Sequence, residues 1–313
     1  MKNKKITIIG SGALGTAFSN ILFDSGNKNI TIYGIDQKEL LELKNGKNTK
    51  YFSDKLFIHP VNTTNNLKDA LDGVDYIIIA LPSTIIPTVI EQIKENINSD
   101  VLIVSGSKGF YSGTDEPLHK GIDLNTKDHK NIRGVVSILG PSYAEEMINK
   151  GLTIVASVSD SQELCEEVQS LFSNPYFKIY TQTDVIGAEA GGIYKNILAI
   201  ASGMLTEYGF KINTTAAFIT RGVHELAIFN KYLGGKPETI MGLTGLGDLI
   251  LTSMSDLSRN YTFGRSFIRD KEKALLSSVT LEGINALKIV EKIRIKENLD
   301  LPIVECLFKI IYS

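Results

Sequence analysis

The chain has 313 residues, with 33 lysines and arginines against 35 aspartates and glutamates, for a net charge of −2. That balance argues against a nucleic-acid or anionic-membrane partner and leaves only local basic sites for small anions. At 43% hydrophobic and 22% charged residues the composition is that of an ordinary soluble protein, long enough for two domains with cores of their own.

The N-terminal "MKNKK" is followed by four mostly apolar residues, "ITII", too few for the apolar core of a signal peptide. Those residues open "ITIIGSGALGTAF", in which Gly10, Gly12 and Gly15 fit G-x-G-x-x-G. Small residues suit any tight strand-to-helix turn, so the pattern alone decides little. Here it follows a strand and opens a helix. A second strand, "NITIYG", comes next, and Asp36 stands 21 residues beyond Gly15. Amides at the helix start, helped by the helix dipole, would hold a pyrophosphate, and Asp36 would accept hydrogen bonds from an adenosine ribose. The plainer reading is close packing by the glycines, with Asp36 an ordinary loop acid.

Further strand candidates are "VDYIIIAL", "DVLIVSG", "GVVSIL", "LTIVAS" and "FKIYT". They are continuous apolar runs, as expected of strands buried on both faces of a parallel sheet. Their alternation with segments such as "STIIPTVIEQIKENI" predicts an α/β domain with a doubly wound parallel sheet. The most apolar stretch, "YIIIALPSTIIPTVI", contains Pro82 and Pro87 and falls short of the ~20 residues a bilayer span needs. Two clusters, "SGSKGF" with Lys108 and "LGPSYAEEM" with Gly140, Ser142 and Ala144, sit at C-terminal ends of predicted strands, where open α/β sheets bind ligands. Lys108 reads equally well as a ligand group and as a surface lysine in a turn.

After Thr183 the segments become long and helix-periodic, which predicts a first domain over 1–183 and an all-α second domain over 184–313. In "GGIYKNILAIASGM", Lys195 and Asn196 start an otherwise apolar helix. Desolvation there would lower the lysine pKa toward the range useful for acid/base work, whereas the plain alternative is a lysine snorkelling to solvent. "GLTGLGDLILTSMSDLSRNYTFG" gathers Asp248, Thr252, Ser258, Arg259 and Asn260. An Arg–Asn pair in a loop suits a phosphate, because guanidinium presents a fork of donors. Arg221 and Glu225 are i, i+4 and read as a surface pair, with His224 structural rather than catalytic. Cys165 and Cys306 have no metal or disulfide spacing and are expected as buried or half-buried thiols of a cytoplasmic protein.

Taken together, "IGSGALGTAF", "SKG", "GPSYAEE", "GGIYKNILAIASGM" and "TGLGDLILTSMSDLSRNYTFG" resemble the bacterial-type NAD(P)-dependent glycerol-3-phosphate dehydrogenase family, in its order and approximate spacing from residue 6 almost to the end. The resemblance implies a Rossmann-like N-terminal domain, a helical substrate domain, and interconversion of dihydroxyacetone phosphate and sn-glycerol 3-phosphate for phospholipid synthesis. By matching motifs, it implies Lys195 as general acid/base with Lys108 and Asp248 beside it. Gly140, Ser142, Asn196, Thr252, Ser258, Arg259 and Asn260 fall to the substrate. Gly10, Gly12, Ala13, Leu14, Gly15, Asp36, Ala144, Thr280 and Glu282 fall to the cofactor, with Lys108 and Arg259 serving both. It implies no metal, a small-molecule substrate without membrane insertion, and is compatible with a homodimer.

This chain departs from the family's pattern at three places. Ile35, in "YGID", replaces the basic or histidine residue that often precedes the acid after the second strand. Asp36 would also repel a 2′-phosphate, so NAD(H) is expected to be preferred over NADP(H), although Lys38 remains within reach of such a phosphate. The stretch "NTKYFSDKLF" matches the family's loop over the cofactor only loosely, and the ending "KIIYS" raises the question of how the last helix packs. The rival readings are another two-domain hydroxyacid dehydrogenase, which would not need "SRN" after "GLGDL", and a non-catalytic NADH-binding sensor, which would tolerate loss of Lys195, Asp248, Arg259 or Asn260.

Overall fold

The computed structural model describes residues 4–53, 57–276 and 281–313. The chain divides into two compact units: residues up to Ser107 with Tyr111–Thr183, and Lys108–Phe110 with Asp184–Ser313.

The first unit is built on an eight-stranded sheet in the order β3-β2-β1-β4-β5-β6-β7-β8. Its strands are β1 (Ile6–Ile9), β2 (Ile30–Tyr33), β3 (Asn62–Thr64), β4 (Tyr76–Ile79), β5 (Val101–Ser105), β6 (Ile132–Leu139), β7 (Thr153–Val158) and β8 (Phe177–Gln182). The apolar runs of β1, β4 and β5 are buried throughout because both faces are covered. Ile6, Ile8, Tyr76, Ile78, Leu102 and Val104 pack into one core, which they share with Phe18 and Ile21. Their alternates Ile9, Ile77, Ile79, Val101 and Ile103 pack into another with Ile86, Ile90 and Ile93. The period of two thus sorts each strand between two helical layers.

Two features differ from the sequence reading: a strand it did not name, and one pairing that breaks the expected parallel sheet. β3 is short and polar, so it carries no apolar signal. β6 and β7 pair antiparallel, with Ile138 opposite Ser157. The reason is the length of the connection between them. Its only helix, Ala144–Ile148, rises about 7 Å, little more than one turn, far short of the crossover helix that usually returns a chain to a parallel strand.

At the end of β1, Gly10 has φ +123°, and a Cβ there would run into the Ala80 carbonyl at the end of β4. Helix α1 (Ala13–Asp24) opens directly beyond it, with Gly12 at its N-cap and no side-chain cap. Helix α2 (Gln37–Lys44) follows β2, and its N-cap is Asp36.

The second unit is helical around the Val185–Glu207 helix, which is buried almost without interruption from Val185 to Met204. A helix apolar on all sides must be enclosed, and this one packs against the helices Ile212–Leu233, Asp248–Ser253, Arg259–Arg269 and Glu282–Glu297. The tightest crossing is with Arg259–Arg269. A Cβ at Gly203 would strike the Tyr261 carbonyl, and one at Gly264 would strike that of Ile200.

Two sequence expectations, for Glu225 and for Cys306, are corrected here. Glu225 is not in a surface pair with Arg221: it is 2% exposed. Its carboxylate accepts from the Tyr194 hydroxyl at 2.9 Å and from the Ile303 and Val304 amides at 2.6 and 3.4 Å. It therefore satisfies the otherwise open start of the last helix, Pro302–Tyr312, whose Val304, Leu307 and Ile311 are buried. His224 is exposed. Cys165 is buried as expected, but Cys306 is exposed. Among the described residues, no helix is long and apolar enough to cross a membrane.

Candidate active site

In the second unit, three charged side chains from three separate segments meet. Lys195 lies in the middle of the Val185–Glu207 helix, not at its start as its sequence context suggested. The adjacent glycines, which suggest a break, instead let neighbours approach: a Cβ at Gly191 would strike the Thr244 carbonyl. Thr244 belongs to a single π-type turn, Leu243–Gly247, that delivers Asp248 to the first position of the Asp248–Ser253 helix. Lys108 comes from the segment after β5.

Asp248 is 1% exposed and serves both lysines. Lys195 Nζ donates to Asp248 Oδ1 at 2.7 Å and to Thr252 Oγ1 at 3.1 Å, and Lys108 Nζ donates to Asp248 Oδ2 at 2.7 Å. Thr252, one turn after Asp248, donates to the Asp248 carbonyl at 2.6 Å. Burial lowers the Lys195 pKa to about 8; Asp248 opposes the shift and the Lys108 charge reinforces it. Burial works to raise the Asp248 carboxyl, but the two ammonium groups outweigh it and hold the group below its ordinary range. Two cations sharing one buried anion leave a net positive site, with a lysine that can both give and take a proton near neutral pH.

Beside this trio, a hydrogen-bonded chain joins three helices. Asn260 Nδ2 donates to Asn196 Oδ1 at 3.0 Å, and the Gly283 amide donates to Asn260 Oδ1 at 3.1 Å. Asn196 Nδ2 donates to the Gly192 carbonyl at 3.3 Å. Arg259 and Asn260 begin the Arg259–Arg269 helix and do not lie in a loop. Ser258 is its N-cap and accepts from the Tyr261 amide at 3.3 Å. Arg259 is exposed there, so a guanidinium fork and a helix N-terminus stand together, both favourable to an anion. Glu282 neighbours Gly283 at the start of Glu282–Glu297. Thr280 lies outside the described residues.

The remaining sequence candidates lie in the first unit. Ala13, Leu14 and Ala144 pack against one core cluster, which brings α1 and the Ala144–Ile148 helix together. Gly140 has φ +134°, and Ser142 Oγ donates to its carbonyl at 3.1 Å, which shapes the turn leading to Ala144. A dinucleotide pyrophosphate fits the turn at Gly10, Gly12 and Gly15. The start of α1 has no side-chain cap, and the nearest atoms to a Cβ at Gly12 are those of the Tyr51 ring, 3.8 Å away. Asp36 Oδ1 accepts from the Lys38 and Glu39 amides at 2.9 and 3.3 Å, and Oδ2 lies 3.6 Å from Lys50 Nζ. Lys50, Tyr51 and Glu39 at this rim are not singled out by the sequence; the signal for Lys50 and Tyr51 is their place in "NTKYFSDKLF", which loosely matches the loop over the cofactor, and Glu39 has none.

The profile described as NAD-dependent glycerol-3-phosphate dehydrogenase N-terminus matches residues 5–165, and that described as the C-terminus matches residues 184–313. A glycerol-3-phosphate dehydrogenase (NAD(P)+) of Mycoplasma mobile is 49% identical over 312 residues, covering all of this chain and 93% of that protein. One from Clostridium perfringens is 38% identical over 317 residues, covering 99% and 93%. The crystal structure of glycerol-3-phosphate dehydrogenase from Coxiella burnetii superposes with a TM-score of 0.89 at 30% identity, covering 99% of this chain and 95% of that one.

Proposed function

The chain belongs to the NAD-dependent glycerol-3-phosphate dehydrogenase family, and from that premise we propose how its side chains divide the work of interconverting dihydroxyacetone phosphate and sn-glycerol 3-phosphate. It is an NAD(P)-dependent oxidoreductase, and its three-carbon product suits glycerophospholipid synthesis. The observation that carries the assignment of roles is Asp248 held between Lys195 and Lys108.

A bound nicotinamide supplies or accepts the hydride. In the reducing direction the ketone oxygen gathers negative charge, and Lys195 Nζ hands it a proton and is left as the neutral amine. In the oxidising direction the same amine takes the hydroxyl proton. The lowered pKa, about 8, places both forms within reach of neutral pH. Reduction is thus favoured below that value and oxidation above it. Asp248 aims the Lys195 ammonium through Oδ1, and Thr252 fixes it from a second direction. Lys108 adds a second positive charge beside the developing alkoxide.

Arg259, with the helix start behind it, holds the substrate phosphate, joined by Ser258 and Asn260. Asn196 holds Asn260 in place. The cofactor belongs to Gly10, Gly12, Ala13, Leu14, Gly15, Asp36 and Ala144. NADH is preferred over NADPH. Ile35 is 87% exposed and offers a 2′-phosphate no charge, and the Asp36 carboxylate repels one.

Arg259→Leu tests the phosphate assignment. It removes charge-assisted hydrogen bonds worth about 1.5–3 kcal/mol, so kcat/KM for dihydroxyacetone phosphate is expected to fall roughly 10- to 100-fold. The rate with unphosphorylated dihydroxyacetone should stay where it was. Parallel loss with both ketones would remove Arg259 from the phosphate site.

A further inference from the structure

Beyond the glycine turn, the first unit carries an open cavity of about 270 Å3 lined by Asp36, Lys38, Glu39, Glu42, Thr49 and Lys50. It borders the acid assigned to the adenosine ribose, and any cofactor role for this cavity rests on that assignment. Three carboxylates face two ammonium groups there, a balance hostile to a dianionic phosphate unless one cation is aimed at it.

Lys50 is so placed. Its side chain is 57% exposed, and Nζ lies 2.5 Å from Glu39 Oε1 and 3.6 Å from Asp36 Oδ2. An ammonium has three N–H donors; these two carboxylates engage at most two, and the third lies beside the exposed Tyr51 side chain, a neutral neighbour that a phosphate oxygen can replace. Glu39 is only 6% exposed; it also accepts from the Ser11 hydroxyl, inside the glycine turn, and from the Tyr51 hydroxyl at 3.4 Å. The segment carrying Lys50 is pinned on both sides. Asn48 Nδ2 donates to the Ser11 carbonyl at 2.9 Å and to Thr16 Oγ1 at 2.8 Å, and the Thr49 amide donates to Glu42 at 2.6 Å. Lys50 is therefore held beside the ribose acid without being buried by it.

We infer that Lys50 is the residue through which this enzyme accepts a 2′-phosphorylated cofactor, doing from the α2–β3 connection what Ile35 cannot do after β2. With an unphosphorylated ribose, Asp36 Oδ2 accepts from the 2′-hydroxyl and Lys50 only braces that carboxylate. With a 2′-phosphate, the third ammonium donor meets the phosphate oxygens and offsets Asp36. Lys50 thereby sets how strongly NADH is favoured, and complete exclusion of NADPH is not expected.

The test is kcat/KM for NADH and for NADPH, at saturating dihydroxyacetone phosphate, in the wild type, Lys50→Met and Lys50→Arg. Lys50→Met is expected to lower the NADPH-to-NADH ratio of kcat/KM at least tenfold, and Lys50→Arg to restore most of it. An unchanged ratio in Lys50→Met, whether both values fall together or neither does, would mean that Lys50 only braces Glu39, and would overturn the inference. The wild-type ratio tests the separate reading that NADH is preferred. A wild type faster with NADPH would sink that preference, while the change on substitution would still decide the role of Lys50.

Discussion

Lys195→Met is expected to lower kcat for dihydroxyacetone phosphate reduction by about 10²- to 10⁴-fold, the range for losing a general acid. NADH binding, followed by nucleotide fluorescence, should remain close to that of the wild type. Methionine keeps the length of the side chain and removes the buried ammonium, so the helix around it has no reason to repack. Asp248 retains Lys108 as its partner at 2.7 Å, so no buried charge is left alone. The folded state should therefore survive, and the loss should fall on the chemical step. Equal loss of turnover and NADH binding would point to a structural role for Lys195.

Asp248→Asn is the second large effect, and it acts differently. The carboxamide is nearly the same shape but leaves two ammonium groups facing each other with no anion between them. Breaking a buried ion pair from one side costs about 3–5 kcal/mol, to be read as a lower urea midpoint. The sign of the pH effect follows from the charges. Asp248 raises the Lys195 pKa against burial, and Lys108 lowers it. Removing Asp248 therefore moves the Lys195 pKa below about 8. The falling limb of the reduction profile and the rising limb of the oxidation profile should both shift to lower pH. Limbs that stay in place while kcat falls would mean that Asp248 does not set the charge on Lys195.

How legible these features are in the sequence depends on whether their cause is local. The strands "ITII", "YIII" and "VLIVS" can be read because each is buried on both faces and so is apolar at nearly every position, Thr7 and Ser105 being the exceptions. The glycine turn can be read because Gly10 answers a local backbone demand. The antiparallel return of β7 cannot, since it depends on how short the Ala144–Ile148 helix is. Nor can the place of Lys195 within its helix, because glycines that pack against a neighbouring turn are written in the same letters as glycines that end a helix. Glu225 misleads for the same reason. Its spacing to Arg221 is local, but its partners Tyr194, Ile303 and Val304 are distant in sequence. Lys50 depends on Asn48 reaching Ser11 and Thr16, a contact that no spacing announces.

The central claim is a phosphate-anchored ketone reduced beside Lys195. The most direct measurement is the rate of NADH oxidation by the purified, folded protein with dihydroxyacetone phosphate and with unphosphorylated dihydroxyacetone. Fast oxidation confined to the phosphorylated ketone is the predicted result. No oxidation with either, or equal rates with both, would contradict the account.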